Sequence, residues 1–173
     1  NKNFLFYGYW QNIYFLKNQI DFLKNKLNFK TKINLKEIDQ KLIKYSDLVG
    51  IHIRGGDYLK KKNIKIFSQI GEKYYLDNII NIKNQLRNPF FIIFTDDLDY
   101  ARSILPYKNF NFEFIFNFSE NRIDDFQFLS QCDHFIIPNS TFSWWASFLS
   151  KNKNKLIAMP QCWFNKENSF FNL

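Results

Sequence analysis

Two short runs of polar and charged residues have the composition needed to hold a phosphorylated ligand. The first, His52-Ile53-Arg54-Gly55-Gly56-Asp57-Tyr58, ends an apolar stretch, and the second is Asn139-Ser140-Thr141-Phe142-Ser143-Trp144-Trp145. A guanidinium can grip a diphosphate through two parallel hydrogen bonds. Backbone amides at the start of a helix also bind phosphate. The two runs therefore predict a site for a nucleotide diphosphate, which is typical of an enzyme that uses sugar nucleotides.

The residues of the first run also fit a plainer interpretation. Arg54 and Asp57 are equally compatible with a strand–turn that carries a surface salt bridge, in which Asp57 orients the arginine or caps the turn. Asp57 is otherwise a candidate base. Gly55 and Gly56 allow the backbone to turn sharply and to approach a ligand closely. His52 lies inside the strand pattern, so a core histidine and a ligand-binding histidine are both compatible with its position.

Hydroxyl and carboxylate side chains at two predicted helix starts are similarly open to two interpretations. Ser140, Thr141 and Ser143 follow a strand and precede a helix, where such side chains commonly cap free N–H groups. Asp96 and Asp97 begin a helix directly after a buried strand, where the helix dipole alone favours a carboxylate. One of these two carboxylates could instead pair with the N1–H and the exocyclic amine of a guanine.

The predicted elements place all of these residues on one edge of a sheet. Two amphipathic helices, over 11–29 and 35–45, come first. Strands are then predicted over 48–54, 90–95, 111–116, 134–138 and 155–159, with helices over 72–86, 96–104, 122–131 and 141–150 between them. This alternation is typical of a Rossmann-like, doubly wound parallel sheet, an α/β fold. Because ligands bind beyond the carboxyl ends of such strands, we expect 52–57, 95–97 and 138–143 along one rim.

The composition limits the classes of function. The 173 residues suffice for one domain with a core, and no apolar run approaches the roughly 18 residues of a membrane span. The formal net charge of +8 suggests an anionic partner, which could be nucleic acid, an anionic membrane face or a phosphorylated small molecule. No nucleic-acid-binding motif accompanies the charge. Cys132 and Cys162 fit neither a disulfide framework nor a zinc site, which predicts a cytoplasmic location.

Taken together, the motifs resemble bacterial α-1,2-fucosyltransferases (glycosyltransferase family 11). The segments that carry the resemblance occur in the family's order: Gly8-Tyr9-Trp10-Gln11, the run from His52 to Tyr58, Thr95-Asp96-Asp97, the stretch from Cys132 to Trp145, and Pro160 with Trp163-Phe164. They span nearly the whole chain. The most specific are the His-x-Arg-x-Gly-Asp-Tyr and Asn-Ser-Thr-Phe-Ser-Trp-Trp runs.

The resemblance implies a function and a division of the chain. It implies inverting transfer of L-fucose from GDP-β-L-fucose to the 2-hydroxyl of a terminal galactose in a surface glycan such as lipopolysaccharide. Residues 48–173 would form the Rossmann-like GDP-fucose-binding half of a GT-B enzyme. Residues 1–47 would be a helical remainder of, or bridge to, an N-terminal acceptor domain that the chain lacks. A cytoplasmic location follows, with peripheral contact to the inner membrane as a further expectation.

The resemblance also implies roles for individual residues. Arg54 resembles the diphosphate-binding arginine and Asp57 is a catalytic candidate. The expected donor-binding residues are His52, Arg54, Asp97, Asn139, Ser140, Thr141, Phe142 and Ser143. No metal or other cofactor is expected, because Asp97-Leu98-Asp99 lies within a predicted helix and Arg54 with the helix amides would stabilise the leaving GDP. The family usually has a second arginine after the first, where this chain has Gly55.

Three other functions stay open at the level of sequence. The chain could be an inactive fragment that only binds GDP or GDP-fucose, or a transferase for another nucleotide sugar. Charge alone would also fit a nucleic-acid-binding domain, although the absence of a supporting motif makes us expect no nucleic-acid partner.

Overall fold

A computed structural model describes residues 14, 18–26, 46–105, 114–117 and 121–165. Helix α1, Ile20–Lys26, falls within the helix predicted over 11–29. The helix predicted over 35–45 lies outside the described residues, as does most of the predicted segment 1–47. The division of the chain at residue 47 therefore stays a prediction.

Strands and helices alternate along the rest of the described chain, as the sequence predicts. The strands are β1 (Asp47–Ile53), β2 (Pro89–Thr95), β3 (Phe114–Asn117), β4 (His134–Ile136) and β5 (Ile157–Ala158). The helices are α2 (Lys61–Ile64), α3 (Glu72–Gln85), α4 (Leu98–Ile104), α5 (Arg122–Leu129) and α6 (Thr141–Leu149), and a 3₁₀ helix covers Gly56–Leu59. The sequence did not predict the 3₁₀ helix or α2. Strand β4 ends two residues earlier than predicted, since Pro138 carries no N–H to continue the ladder.

The described strands form one parallel sheet in the order β3-β2-β1-β4-β5. The chain moves from β1 outward to β3, then returns to the other side of β1 to place β4 and β5. This confirms the predicted doubly wound parallel sheet. It also confirms the shared rim, because β1 lies between β2 and β4 and the carboxyl ends of all three strands are adjacent. The change of direction falls between β1 and β4, the position at which such sheets bind ligands.

The central strands are apolar on both faces because helices cover both faces. In β2, Phe90, Ile92 and Phe94 belong to one core cluster, whereas Phe91 and Ile93 belong to another. Side chains alternate between the two faces of a strand, so this division places one cluster on each side of the sheet. A strand that is buried in this way can expose only its ends, and its carboxyl end is where the polar runs begin.

Gly50 allows close packing at the centre of the sheet. A Cβ atom at this position would lie 2.5 Å from Leu129 Cδ1 and 3.1 Å from Cys132 Sγ. The absence of a side chain therefore lets the end of α5 approach β1 directly. Across the described part of the chain, no helix combines the length and apolarity needed to cross a bilayer.

Candidate functional site

A cleft of about 790 Å³ opens beyond the carboxyl ends of β1, β2 and β4. Both polar runs contribute to its walls. The lining residues are His52, Arg54, Asp57, Tyr58, Asn63, Phe67, Phe94, Thr95, Asp96, Arg122, Asp125, Ser140, Thr141 and Phe142. The volume is in the range of small-molecule sites. The structure therefore brings together most of the residues that the sequence singled out.

Arg54 directly follows β1 and is held by carboxylates on two sides. Its Nη1 pairs with Asp96 Oδ2, and its Nη2 lies 2.5 Å from Asp57 Oδ1. The other oxygen of Asp96 accepts a hydrogen bond from Gly55 N at 2.8 Å. Asp96 thus fixes both the guanidinium and the turn that follows it. Asp57 is the more exposed partner, with 49% of its side chain accessible against 11% for Asp96, so a ligand could displace it more readily.

Asp97 faces its own helix. Its Oδ1 accepts a hydrogen bond from Tyr100 N at 3.0 Å and so caps α4. Asp97 is not among the described residues that line the cleft. This position fits the capping interpretation, and Asp96 supplies the cleft carboxylate instead. A donor-binding role for Asp97 stays a prediction without support from this geometry.

Gly55 packs against the start of α4. A Cβ atom at this position would lie 2.7 Å from Asp97 Cβ and 3.0 Å from Tyr100 Cδ1. A second arginine at residue 55 would therefore have to displace the capped end of α4. The absence of that arginine is consistent with the local packing of this chain.

The first turn of α6 opens at the cleft without a capping side chain. Ser140 is the N-cap residue but makes no side-chain hydrogen bond to the helix. In contrast, Asp97 caps α4 and Asn121 caps α5 through hydrogen bonds to backbone N–H groups. Because Ser140, Thr141 and Phe142 line the cleft, the positive end of the α6 dipole lies at the cleft. An anion beside this turn would take the place of the missing cap.

Asn139 and Ser143, both predicted to bind the donor, are buried in the turn and are not among the lining residues. The amide of Asn139 donates to Ser68 O at 3.0 Å and to Trp163 O at 2.7 Å. The hydroxyl of Ser143 donates to Ser140 O at 3.4 Å. The contacts described here support the turn, and the predicted contacts with the donor stay untested.

His52 lies in the cleft wall as a neutral group. Burial, with the positive charges of Arg54 and Arg122, lowers its pKa from 6.5 to about 3. Its Nδ1 is buried and has no hydrogen-bond partner among the described residues. An unsatisfied buried polar atom is costly in a folded protein. His52 lines the cleft, but an atom buried in this way cannot be reached from the cleft without a rearrangement, so the core and the ligand-binding interpretations of His52 both stay open.

Two cleft residues at the start of α5, Arg122 and Asp125, were not predicted from the sequence as site residues. Asp125 has only 3% of its side chain accessible, and its Oδ2 lies 3.6 Å from Arg122 Nη1. Arg122 also donates to Thr95 O at 3.2 Å, at the end of β2. The topology could have revealed both residues, because a helix that follows a parallel strand begins at the ligand-binding edge. Among the described residues, no group of His, Cys, Asp and Glu side chains is arranged to hold a metal ion.

Comparison with known proteins identifies the family. The sequence model described as Glycosyl transferase family 11 matches residues 1–171. The chain belongs to glycosyl transferase family 11. The resemblance carried by the His-x-Arg-x-Gly-Asp-Tyr and Asn-Ser-Thr-Phe-Ser-Trp-Trp runs is therefore confirmed.

Glycosyltransferases from a bacterium and a mammal are similar to this family 11 chain. The alpha-1,2-colitosyltransferase of Escherichia coli is 32% identical over 181 residues, covering 95% of this chain and 58% of the relative. The O-antigen biosynthesis glycosyltransferase WbnK of Escherichia coli is 31% identical over 127 residues, covering 71% of this chain and 41% of the relative. The galactoside alpha-(1,2)-fucosyltransferase 1 of Bos taurus is 27% identical over 107 residues, covering 61% of this chain and 30% of the relative. The family 11 chain thus spans at most 58% of the length of these three relatives.

A solved structure of POFUT1 in complex with GDP is similar in fold, and the match covers 74% of this family 11 chain and 46% of the POFUT1 chain. The TM-score is 0.47 and the sequence identity is 13%, a likeness too low to bear on function.

Proposed function

We propose that this chain is the donor-binding part of an inverting glycosyltransferase that uses GDP-β-L-fucose and transfers L-fucose to the 2-hydroxyl of a terminal galactose. The observation that carries the proposal is the meeting of Arg54 and the uncapped first turn of α6 in one cleft. Transfer of colitose is a second candidate, favoured by the 32% identity to a colitosyltransferase over 95% of the chain.

The diphosphate would lie between Arg54 and the α6 turn. A guanidinium offers paired N–H donors to phosphate oxygens, and the helix start adds backbone N–H groups and a positive dipole end. In this structure, Asp57 and Asp96 pair with the guanidinium. A diphosphate would replace Asp57, the exposed partner, while Asp96 continues to orient the arginine.

The nucleobase would lie at the end of the cleft near α5. A buried carboxylate such as Asp125 can accept hydrogen bonds from two adjacent N–H groups, and guanine presents such a pair at N1 and at the exocyclic amine. Uracil has a single N–H at the corresponding edge. The neutral His52 lines the same cleft. The chemistry at this end therefore favours GDP over UDP.

The transfer would be a single displacement at the anomeric carbon. The acceptor oxygen forms a bond to this carbon while the bond to the β-phosphate oxygen breaks, through an oxocarbenium-like transition state. The electron pair leaves with GDP, where Arg54 and the α6 amides would stabilise the developing charge. Asp57, released from Arg54 by the diphosphate, is our candidate for the base that takes the acceptor proton.

Calorimetric titration with GDP and with UDP tests the proposal. We expect GDP to bind more tightly than UDP and Arg54→Ala to weaken GDP binding roughly 10- to 100-fold, since hydrogen bonds to charged groups contribute about 1.5–3 kcal/mol. Arg87→Ala is the matched control, because it removes the same charge from an exposed residue just before β2, at the opposite edge of the sheet. A chain that ignores GDP, or an Arg54→Ala variant that binds it normally, would contradict the proposal.

A transfer assay with GDP-fucose and a galactoside separates the enzyme from a fragment that only binds. If GDP binds but neither fucose from GDP-fucose nor colitose from a GDP-colitose donor is transferred, the binding-only alternative holds for this chain, whereas transfer of colitose alone would support the second candidate. If fucose is transferred, Arg54→Ala should lower kcat roughly 100- to 1,000-fold, as expected when a group that stabilises developing charge is removed.

A further inference from the structure

We propose that Tyr58 and Phe67 are positioning residues that hold the Arg54 guanidinium in the cleft. The inference rests on the proposed function in one respect, the role of Arg54 in binding the diphosphate. The geometry itself consists of one cation and three aromatic rings in contact, which together form what we call the aromatic column: Arg54, Tyr58, Phe67 and Phe164.

The members of the aromatic column follow one another through ring faces. Arg54 Cζ lies 5.4 Å from the centroid of the Tyr58 ring. The Tyr58 and Phe67 rings stack with centroids 4.6 Å apart and planes 16° apart, and Phe67 stacks on Phe164 at 5.6 Å and 28°. Because Phe67 supports the Tyr58 ring, a tilt of that ring away from the guanidinium would disturb the stack. The aromatic column therefore fixes the orientation of the Tyr58 ring, against whose face the Arg54 guanidinium lies.

Two segments far apart in the sequence support the column from behind. Residues 66–68 run antiparallel to 163–165, with a bridge between Phe67 and Phe164. The backbone hydrogen bonds of this pairing are Ser68 N to Trp163 O at 3.1 Å and Asn165 N to Ile66 O at 2.9 Å. Phe67 and Phe164 are thus fixed through their backbones.

Asn139 connects the aromatic column to the turn that precedes α6. Its side-chain amide donates to both supporting segments, at Ser68 O and Trp163 O. Its backbone carbonyl accepts a hydrogen bond from the Tyr58 hydroxyl at 2.9 Å. The ring next to Arg54 is therefore tied to the same turn whose residues Ser140, Thr141 and Phe142 line the cleft. This arrangement sets the position of the guanidinium relative to the α6 N-terminus.

The column matters most when the diphosphate is bound. Arg54 has a flexible side chain, and its exposed partner Asp57 would be replaced by the ligand. Asp96 and the Tyr58 ring would then be the groups that keep the guanidinium in one orientation. A positively charged guanidinium beside an aromatic face is attracted by the ring, and arginine is the cation most often found there.

A double-mutant cycle on GDP affinity tests whether Tyr58 acts through Arg54. We expect Tyr58→Leu to weaken GDP binding roughly 2- to 30-fold, the range of a cation–π contact from exposed to desolvated sites. Tyr58→Phe should restore most of the loss because it keeps the ring. In an Arg54→Gln background, Tyr58→Leu should change the Kd by less than about twofold, as expected for coupled residues.

Tyr74→Leu is the matched control for this cycle. Tyr74 also donates its hydroxyl to a loop carbonyl, that of Ile137 at 2.7 Å, but it lies outside the aromatic column. A loss of affinity from Tyr74→Leu equal to that from Tyr58→Leu would overturn the proposal, because it would show a general effect on the loops. Equal losses from Tyr58→Leu in both Arg54 backgrounds, or no loss in either, would overturn the proposal.

A second measurement does not depend on GDP. In ¹⁵N-edited NMR spectra of the unliganded chain, the Arg54 Nε–H proton should be shifted upfield by the Tyr58 ring current. Tyr58→Leu should remove this shift, Phe67→Leu should reduce it and Tyr58→Phe should keep it. An Arg54 signal that Tyr58→Leu leaves unchanged would refute the column. If GDP fails to bind the unaltered chain, the proposed function fails while this measurement still decides whether the column exists.

Discussion

Replacing Gly55 with alanine is the sharpest test of how the cleft is built. Gly55 follows the diphosphate-binding candidate Arg54, and its backbone N–H donates to Asp96. An added Cβ atom would lie 2.7 Å from Asp97 Cβ and 3.0 Å from Tyr100 Cδ1. Two Cβ atoms cannot lie as close as 2.7 Å, so the start of α4 or the turn that carries Arg54 must move.

The expected cost follows from these contacts. Overpacking of a well-packed site costs about 1–3 kcal/mol, and disturbing the Asp97 cap adds up to about 1 kcal/mol. We therefore expect Gly55→Ala to lower the free energy of unfolding by about 2 kcal/mol. For a chain of this size, that change should lower Tm by roughly 4–8 °C.

Thermal unfolding followed by circular dichroism provides the measurement. Gly71→Ala is the control, since no atom beyond its own chain neighbours lies within 4 Å of the added Cβ. Alanine lowers the entropy of the unfolded chain, which stabilises the fold, but it is a poorer N-cap residue for α3 than glycine. The two effects should roughly cancel, so Tm should change little. An unchanged Tm for Gly55→Ala, or an equal loss for Gly71→Ala, would refute the packing argument.

Two further predictions concern residues whose roles differ from a simple sequence interpretation. Asp97→Ala should destabilise the fold by about 1 kcal/mol through loss of the α4 cap and leave the GDP Kd unchanged; a large loss of affinity in calorimetry would restore the donor-binding role. For His52, the folded pKa of about 3 lies below the unfolded 6.5, so the stability it provides is present above pH 6.5 and lost as pH falls. In urea unfolding, the loss of unfolding free energy between pH 7 and pH 5 should accordingly be smaller for His52→Gln than for wild type by about 2 kcal/mol. An equal loss in the two proteins would contradict this.

Local patterns in the sequence were sufficient to predict the alternation of the main strands and helices, although not the order of the strands in the sheet. The apolar stretch that became β2 and the polar runs that end β1 and β4 predicted strands near their observed bounds, because buried strands leave a clear apolar pattern. The 3₁₀ helix at Gly56–Leu59 and helix α2 had no such pattern, since both are short and bury no residues. Short elements of this kind depend on tertiary contacts, which a local pattern does not contain.

The site was predictable only where strand ends define it. Arg54 and the Ser140 turn come together because β1 and β4 pair, and the alternation of elements allowed that expectation. The choice between Asp96 and Asp97 could not be made, because adjacent residues after a strand point in different directions and only packing decides which one caps α4. Asn139 shows the same limit, because its partners at residues 68 and 163 are distant in sequence.

The charge of the cleft shows why the chain's net charge of +8 is a poor guide to its ligand. Among the described lining residues, two arginines face three aspartates, Asp57, Asp96 and Asp125, so the formal charge of the wall is −1 with His52 neutral. A site built for nonspecific attraction of a polyanion would show an excess of cations. This site instead pairs each guanidinium with a carboxylate and adds a helix start without a capping side chain. Binding there must depend on the geometry of the N–H donors, which favours a small diphosphate that can displace Asp57 over an extended anionic surface.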